Sequence, residues 1–171
     1  LPFDDTTDFE NARRGLIVDA SGQIKADAGH VAWDFDRWAF LASEAPPSAN
    51  PSLWRQGQLN AIAGIFEVAE GIYQARGFDL AVMSFLRTDS GWIVVDPLTT
   101  RETAAAAIAF ARKHLGNKPI SAILFTHSHI DHFGGALSVL GAGENTQIVA
   151  PVGFMEEATS ENIIAGNTMS R

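Results

Sequence analysis

Residues 120–135 constrain this chain more than any other stretch. Ile120 to Phe125 reads Ile-Ser-Ala-Ile-Leu-Phe, a short apolar run suited to a strand buried on both faces. It runs straight into Thr126-His127-Ser128-His129-Ile130-Asp131-His132-Phe133-Gly134-Gly135, where three of the chain's five histidines and one aspartate fall within six positions. Strand alternation would send Asp131 and His132 to opposite faces, and a helix would scatter the four side chains. A loop at a strand tip lets them converge, with Gly134 and Gly135 permitting close backbone approach.

Metal binding is the chemistry such a cluster suits. His127 and His129 could hold one ion, and Asp131 and His132 could reach a second beside it. Imidazole with carboxylate matches Zn²⁺, and also Fe or Mn. Thiolate sites are excluded, because the chain has no cysteine. The candidate metal ligands are therefore His127, His129, Asp131 and His132. Asp131 is also the candidate catalytic side chain, able to orient a water or accept its proton, although ligation should be its first role. A histidine-rich helix cap with no metal is the rival reading. One histidine alone would favour that rival; four donors in this order after a buried strand argue against it.

Upstream, the pattern alternates strands and helices. Pro51 and Ser52 predict a helix over Leu53 to Ile62, with Ser52 as its cap. Ile65 to Tyr73 and Leu80 to Leu86 read as strands, and Thr88-Asp89-Ser90-Gly91 as a hairpin turn into a strand from Trp92 to Asp96. Thr100 should cap an alanine-rich helix running to about Leu115, ended by Gly116-Asn117. A helix from about Asp131 to Leu140, a break at Gly141-Ala142-Gly143, a strand from Gln147 to Ala150 and a helix or turn over Pro151 to Ala158 complete the chain. This order argues an α/β (α+β) layered fold. The first 50 residues, punctuated by Gly22, Gly29, Pro46 and Pro47, read as an irregular arm packed on the domain, its tryptophans serving as core anchors. Trp33 to Leu41 allows either a short strand or a helical turn.

Other titratable residues have plainer readings. His30 stands alone in the arm and suits a surface position. His114 is explained by the dipole at a helix C-terminus. Asp96 either accepts a hydrogen bond from a ligand histidine or belongs to an ordinary strand-end turn; both readings stay open.

The motif Thr126-His127-Ser128-His129-Ile130-Asp131-His132 resembles the signature of the metallo-β-lactamase superfamily. Asn50 to Gln56, Gly71 to Leu80, Gly91 to Leu98 and Glu161 to Arg171 narrow the resemblance to the alkyl sulfatases of that superfamily. The resemblance implies the N-terminal half of an αββα sandwich, with the arm at 1–50 and a first half of the catalytic domain at 51–171. It also implies two zinc ions and hydrolysis of alkyl sulfate esters such as detergents, with attack at either carbon or sulfur. Lactonase, thioesterase and β-lactamase activities share the motif, and a non-catalytic metal-binding fragment is the alternative from another class. Glu161 and Asn162 lie in a matching stretch but receive no role.

The family pattern needs a further carboxylate and a further histidine, and no histidine follows His132. The resemblance therefore implies that the remainder of the same enzyme acts as a companion polypeptide, and that the full-length protein is a homodimer. It also implies an export signal upstream, and so a periplasmic or secreted location. A net charge of −8 argues against nucleic acid and anionic membranes as partners. An anionic substrate would need a local positive site. No apolar run approaches the roughly 18 residues of a membrane span.

Overall fold

The meander that precedes the histidine motif builds the sheet, and the helix after it covers one face. A computed structural model describes residues 2–140 and 145–169. Helix α1 (Thr7–Arg13) leads into strands β1 (Leu16–Asp19), β2 (Gln23–Lys25) and β3 (Val31–Asp34), then a 3-10 helix over Phe35–Ala42. Helix α2 (Pro51–Asn60) follows, then strands β4 (Gly64–Ala69), β5 (Ile72–Arg76), β6 (Met83–Arg87) and β7 (Trp92–Val95). Helix α3 (Arg101–Leu115) crosses to strand β8 (Ile120–Leu124). A 3-10 turn at Ile130–His132, helix α4 (Ala136–Val139), strand β9 (Gln147–Val149) and helices α5 (Phe154–Ile164) and α6 (Gly166–Met169) close the described chain.

Seven strands form one sheet in the order β1-β4-β5-β6-β7-β8-β9. Neighbours from β1 to β7 pair antiparallel, whereas β7–β8 and β8–β9 pair parallel. A parallel pair needs a long crossover, and α3 supplies the one between β7 and β8. Period-two burial along β5, β6 and β7 places Tyr73, Ala75, Met83, Phe85, Trp92 and Val94 in the core. Against them lies a stripe of small residues on α3, Ala104, Ala107 and Ala111, together with Ile108. Their i, i+3, i+7 spacing lines one helix face, and the absent side-chain bulk lets the helix sit close to the sheet.

The capping of α3 matches expectation: Thr100 Oγ1 accepts from the Thr103 amide at 3.2 Å, and Gly116 ends the helix at φ +108°. The turn at Thr88–Gly91 is also present, closed by the Thr88 amide on the Gly91 carbonyl at 2.9 Å.

Several expectations need correction. The single strand over Ile65–Tyr73 is a hairpin, β4 and β5, because Gly71 reverses the chain at φ +74°. Asn50 rather than Ser52 caps α2; its Oδ1 accepts from the Ser52 and Leu53 amides, and Pro51 occupies the first helical position, where no amide is needed. The helix expected over Asp131–Leu140 is a 3-10 turn and the short α4, with a break at Gly134-Gly135. The expected break at Gly141–Gly143 lies outside the described residues.

The first 50 residues are more ordered than an irregular arm. β1 is an edge strand of the main sheet, paired antiparallel with β4, and the β2–β3 hairpin lies against α3. Both readings of Trp33–Leu41 hold in part, a strand end followed by a 3-10 helix. Trp33 anchors the arm by donating Nε1–H to the Gly77 carbonyl at 2.7 Å. Trp38, in contrast, stays 43% exposed and is no core anchor.

Candidate metal centre

Parallel pairing of β7 and β8 brings the C-terminal ends of both strands to the same edge, the position where ligands collect in such sheets. Asp96 follows β7, and Thr126-His127 follows β8. The Asp96 side chain is 9% exposed and fully engaged. Its Oδ1 accepts from the Thr126 amide at 2.8 Å, and its Oδ2 accepts from Thr126 Oγ1 at 2.6 Å and from His132 Nδ1 at 2.8 Å.

Those bonds dictate protonation in two rings. An ionised carboxylate can only accept, so His132 carries its proton on Nδ1. The Thr126 hydroxyl spends its one hydrogen on Asp96 and must accept from His127 Nδ1, 2.9 Å away. Both histidines therefore keep Nε2 for another partner. The His127 and His132 rings lie 4.0 Å apart, and the His127 and His129 rings 4.7 Å. His132 Nε2 faces Asp131 Oδ2 at 3.3 Å. A lone pair and a carboxylate oxygen at that distance repel unless a proton or a cation lies between them. Imidazole nitrogens beside a carboxylate oxygen are also the donor types that hold a divalent cation.

Donor atoms of Asp96, His127 and His132 all fall within 4.8 Å of one another. Proximity would allow Asp96 to be a ligand as well, but its lone pairs already serve Thr126 and His132. We read it as the carboxylate that orients His132, the first of the two alternatives left open by the sequence. His129 is held less firmly. Its side chain is 60% exposed, and its Nε2 lies 3.5 Å from Glu161 Oε1 on α5.

The loop between β7 and α3 is strained. Asp96 and Leu98 adopt φ +54° and +64°, a region that costs a branched side chain such as leucine, yet Leu98 is fully buried. The Gly135 amide bonds the Leu98 carbonyl at 2.9 Å. A Cβ on Gly134 would stand 2.2 Å from the Thr99 carbonyl oxygen, and one on Gly135 2.3 Å from that of Pro97. The close approach expected of the two glycines is thus real, and its partner is this loop.

Of the four sequence-derived candidates, His127 and His132 bring donor atoms within 4.8 Å of each other and of Asp96, whereas His129 and Asp131 stand beside that group without joining it. His30 sits in the β2–β3 turn, and His114 packs its ring on Phe110 with centroids 4.6 Å apart; neither joins the cluster. Sequence reasoning missed Asp79, which is 8% exposed and bonds into the same loop. It also assigned nothing to Glu161. No local pattern marks either residue, since each acts on a segment distant in the chain.

The metallo-beta-lactamase superfamily profile matches residues 76–164, just over half of the chain. The chain belongs to that superfamily. Over its full length it is 49% identical to an (R)-specific secondary-alkylsulfatase of Pseudomonas sp. and 42% identical to an alkyl/aryl-sulfatase of Saccharomyces cerevisiae. It spans 26% and 27% of those proteins respectively. The solved structure of a stereoselective inverting sec-alkylsulfatase from Pseudomonas sp. superposes on 99% of the chain with a TM-score of 0.93 and 50% identity, and the chain accounts for 27% of that structure. The α+β fold, and its place in the N-terminal part of such a superfamily member, are as expected.

Proposed function

We propose that this chain supplies part of the metal centre of a hydrolase that cleaves alkyl sulfate esters. The observation that carries the reading is the pair of His127 and His132 with both Nε2 atoms left available and the Asp131 carboxylate 3.3 Å from one of them. Substrate class rests on the alkylsulfatases that match the whole chain. His127, His129, Asp131 and His132 would hold zinc, two ions in the complete enzyme. Bound there, zinc supplies the local positive charge that a chain of net charge −8 lacks, and it acidifies water toward neutral pH.

The chain's own residues set the stage for this chemistry. Asp96 and Thr126 fix the tautomers of His132 and His127, so each ring offers a lone pair with no reorganisation. Asp131, 3.3 Å from His132 Nε2, would ligate and orient water. The net reaction consumes one water and converts R–O–SO₃⁻ into R–OH and HSO₄⁻.

The same reading requires more protein than residues 1–171. Ile148, Val149, Val152, Met155, Ile163 and Ile164 are exposed along β9 and α5, an apolar surface suited to cover by the rest of the polypeptide. Among the described residues, no helix is long and apolar enough to cross a membrane.

Elemental analysis and sulfate release from a long-chain alkyl sulfate test the proposal on the full-length protein. Stoichiometric zinc with sulfate release is expected, and His127→Ala should lose both. Zinc retention without sulfate release would point to a non-catalytic metal-binding role. Turnover of a lactone, thioester or β-lactam in preference to the sulfate ester would replace the substrate class.

A further inference from the structure

Asp79 is a buried carboxylate that stands outside the donor group of Asp96, His127 and His132. It lies between β5 and β6, 8% exposed. Its Oδ2 accepts from the Thr99 amide at 3.1 Å and from Thr103 Oγ1 at 2.6 Å. Its Oδ1 accepts from Thr99 Oγ1 at 2.7 Å and from the adjacent Leu80 amide at 2.6 Å. Three of these four bonds therefore end on the β7–α3 loop and the first turn of α3.

That loop is the strained one. Leucine at φ +64° persists only where its surroundings leave no alternative, and the residue immediately after Leu98 is the one Asp79 grips by both amide and hydroxyl. On its other side the loop seats the histidine motif twice over. Asp96 holds Thr126 and His132, while the Pro97, Leu98 and Thr99 carbonyls meet Gly134 and Gly135. A shift of the loop would move the anchor of His132 and the floor beneath residues 130–135 together.

We propose that Asp79 is a positioning residue for the metal centre, acting through the Asp96–Thr99 turn rather than by contact with metal or substrate. This rests on the reading that the histidine cluster binds metal. Carboxylates that orient ligands alter metal affinity by about tenfold to a hundredfold when removed, and a residue one step further out should reach the lower end of that range.

The full-length protein, stripped of metal, is titrated with zinc against a chromophoric chelator. Hydrogen exchange of the segment 126–136 is followed in the same metal-free protein. Asp79→Ala should weaken zinc binding about tenfold and speed exchange across that segment. Asp79→Asn keeps one accepting oxygen and should fall between the variant and the parent. Ile108→Ala, a core truncation on α3 that leaves the turn's bonds intact, controls for destabilisation. It should lower the melting temperature while zinc affinity and exchange at 126–136 stay at the parental level.

A folded Asp79→Ala protein with parental zinc affinity and parental exchange would overturn the proposal. So would an affinity loss equal to that of Ile108→Ala. If Asp79→Ala does not fold, Thr99→Val removes one hydroxyl bond and should still weaken zinc binding about twofold or more; no change would count against the proposal. Should the parent itself bind no zinc, the metal reading fails, and exchange in the metal-free protein still decides whether Asp79 controls the motif.

Discussion

The two ends of the histidine motif are built differently. At one end His132, 23% exposed, rests on the Asp96 carboxylate, which is tied to Thr126 and enclosed at the strand tips. At the other, His129 is 60% exposed and its Nε2 lies 3.5 Å from Glu161 Oε1. Charge-assisted bonds in a low-dielectric site contribute about 1.5–3 kcal/mol each, whereas an exposed ion pair contributes about 0–1 kcal/mol. The contrast teaches that the sheet pre-organises half of the site. The first half is set by buried backbone and carboxylate, the second by an exposed side chain with one long polar contact.

Four substitutions break or sharpen that contrast. His132→Ala should have the largest effect: it removes a donor nitrogen and orphans part of the Asp96 carboxylate, so zinc affinity should fall more than about a hundredfold. Stoichiometric zinc in that variant, measured by elemental analysis after dialysis, would show that the firm end is not the binding end. Next comes Asp96→Asn. An amide has one accepting oxygen, so an amide that still serves Thr126 Oγ1 and His132 Nδ1 turns its NH2 group on the Thr126 amide donor, and affinity should drop about tenfold to a hundredfold in a chelator competition.

Glu161→Gln should matter far less, within about threefold, because the contact to His129 is long and partly solvated. A loss as large as that of Asp96→Asn would mean that the open end is as organised as the closed one. His30→Ala, remote in the β2–β3 turn, should leave metal content unchanged. Any reduction there would place a ligand outside the strand-tip cluster.

Core substitutions address the scaffold shared by both ends. Phe85, 1% exposed, packs beside Trp92 with centroids 6.4 Å apart. Phe85→Ala should cost about 3–5 kcal/mol in chemical denaturation, since it opens a cavity between sheet and helix.

Legibility followed sequence separation. β8, the alanine-rich helix α3 and both of its ends were readable because each depends on residues within a few positions: an apolar run, a threonine cap, a terminal glycine. That His127 and His132 would meet at one strand tip was readable for the same reason. Asp96 could be placed at a strand end, yet its partners Thr126 and His132 lie 30 and 36 positions away, so two readings remained. Asp79 reaches 20 and 24 positions forward and carried no signal. The helix expected over Asp131–Leu140 failed because the Gly135 amide is taken by the Leu98 carbonyl and the Thr99 carbonyl crowds Gly134, contacts that local propensity does not contain. β1 was hidden similarly: a four-residue strand of mixed burial is recognisable only once β4 stands beside it.

By itself, then, the sequence determined which donor atoms this chain brings to its site and that they follow a buried strand, because identity and short-range spacing are local properties. Only the tertiary structure decided which nitrogen of each ring is left available, which carboxylate supports and which faces its neighbour, and how firmly each end is held. Those are properties of distance and burial, and here both are set by a parallel strand pairing that joins segments far apart in the chain.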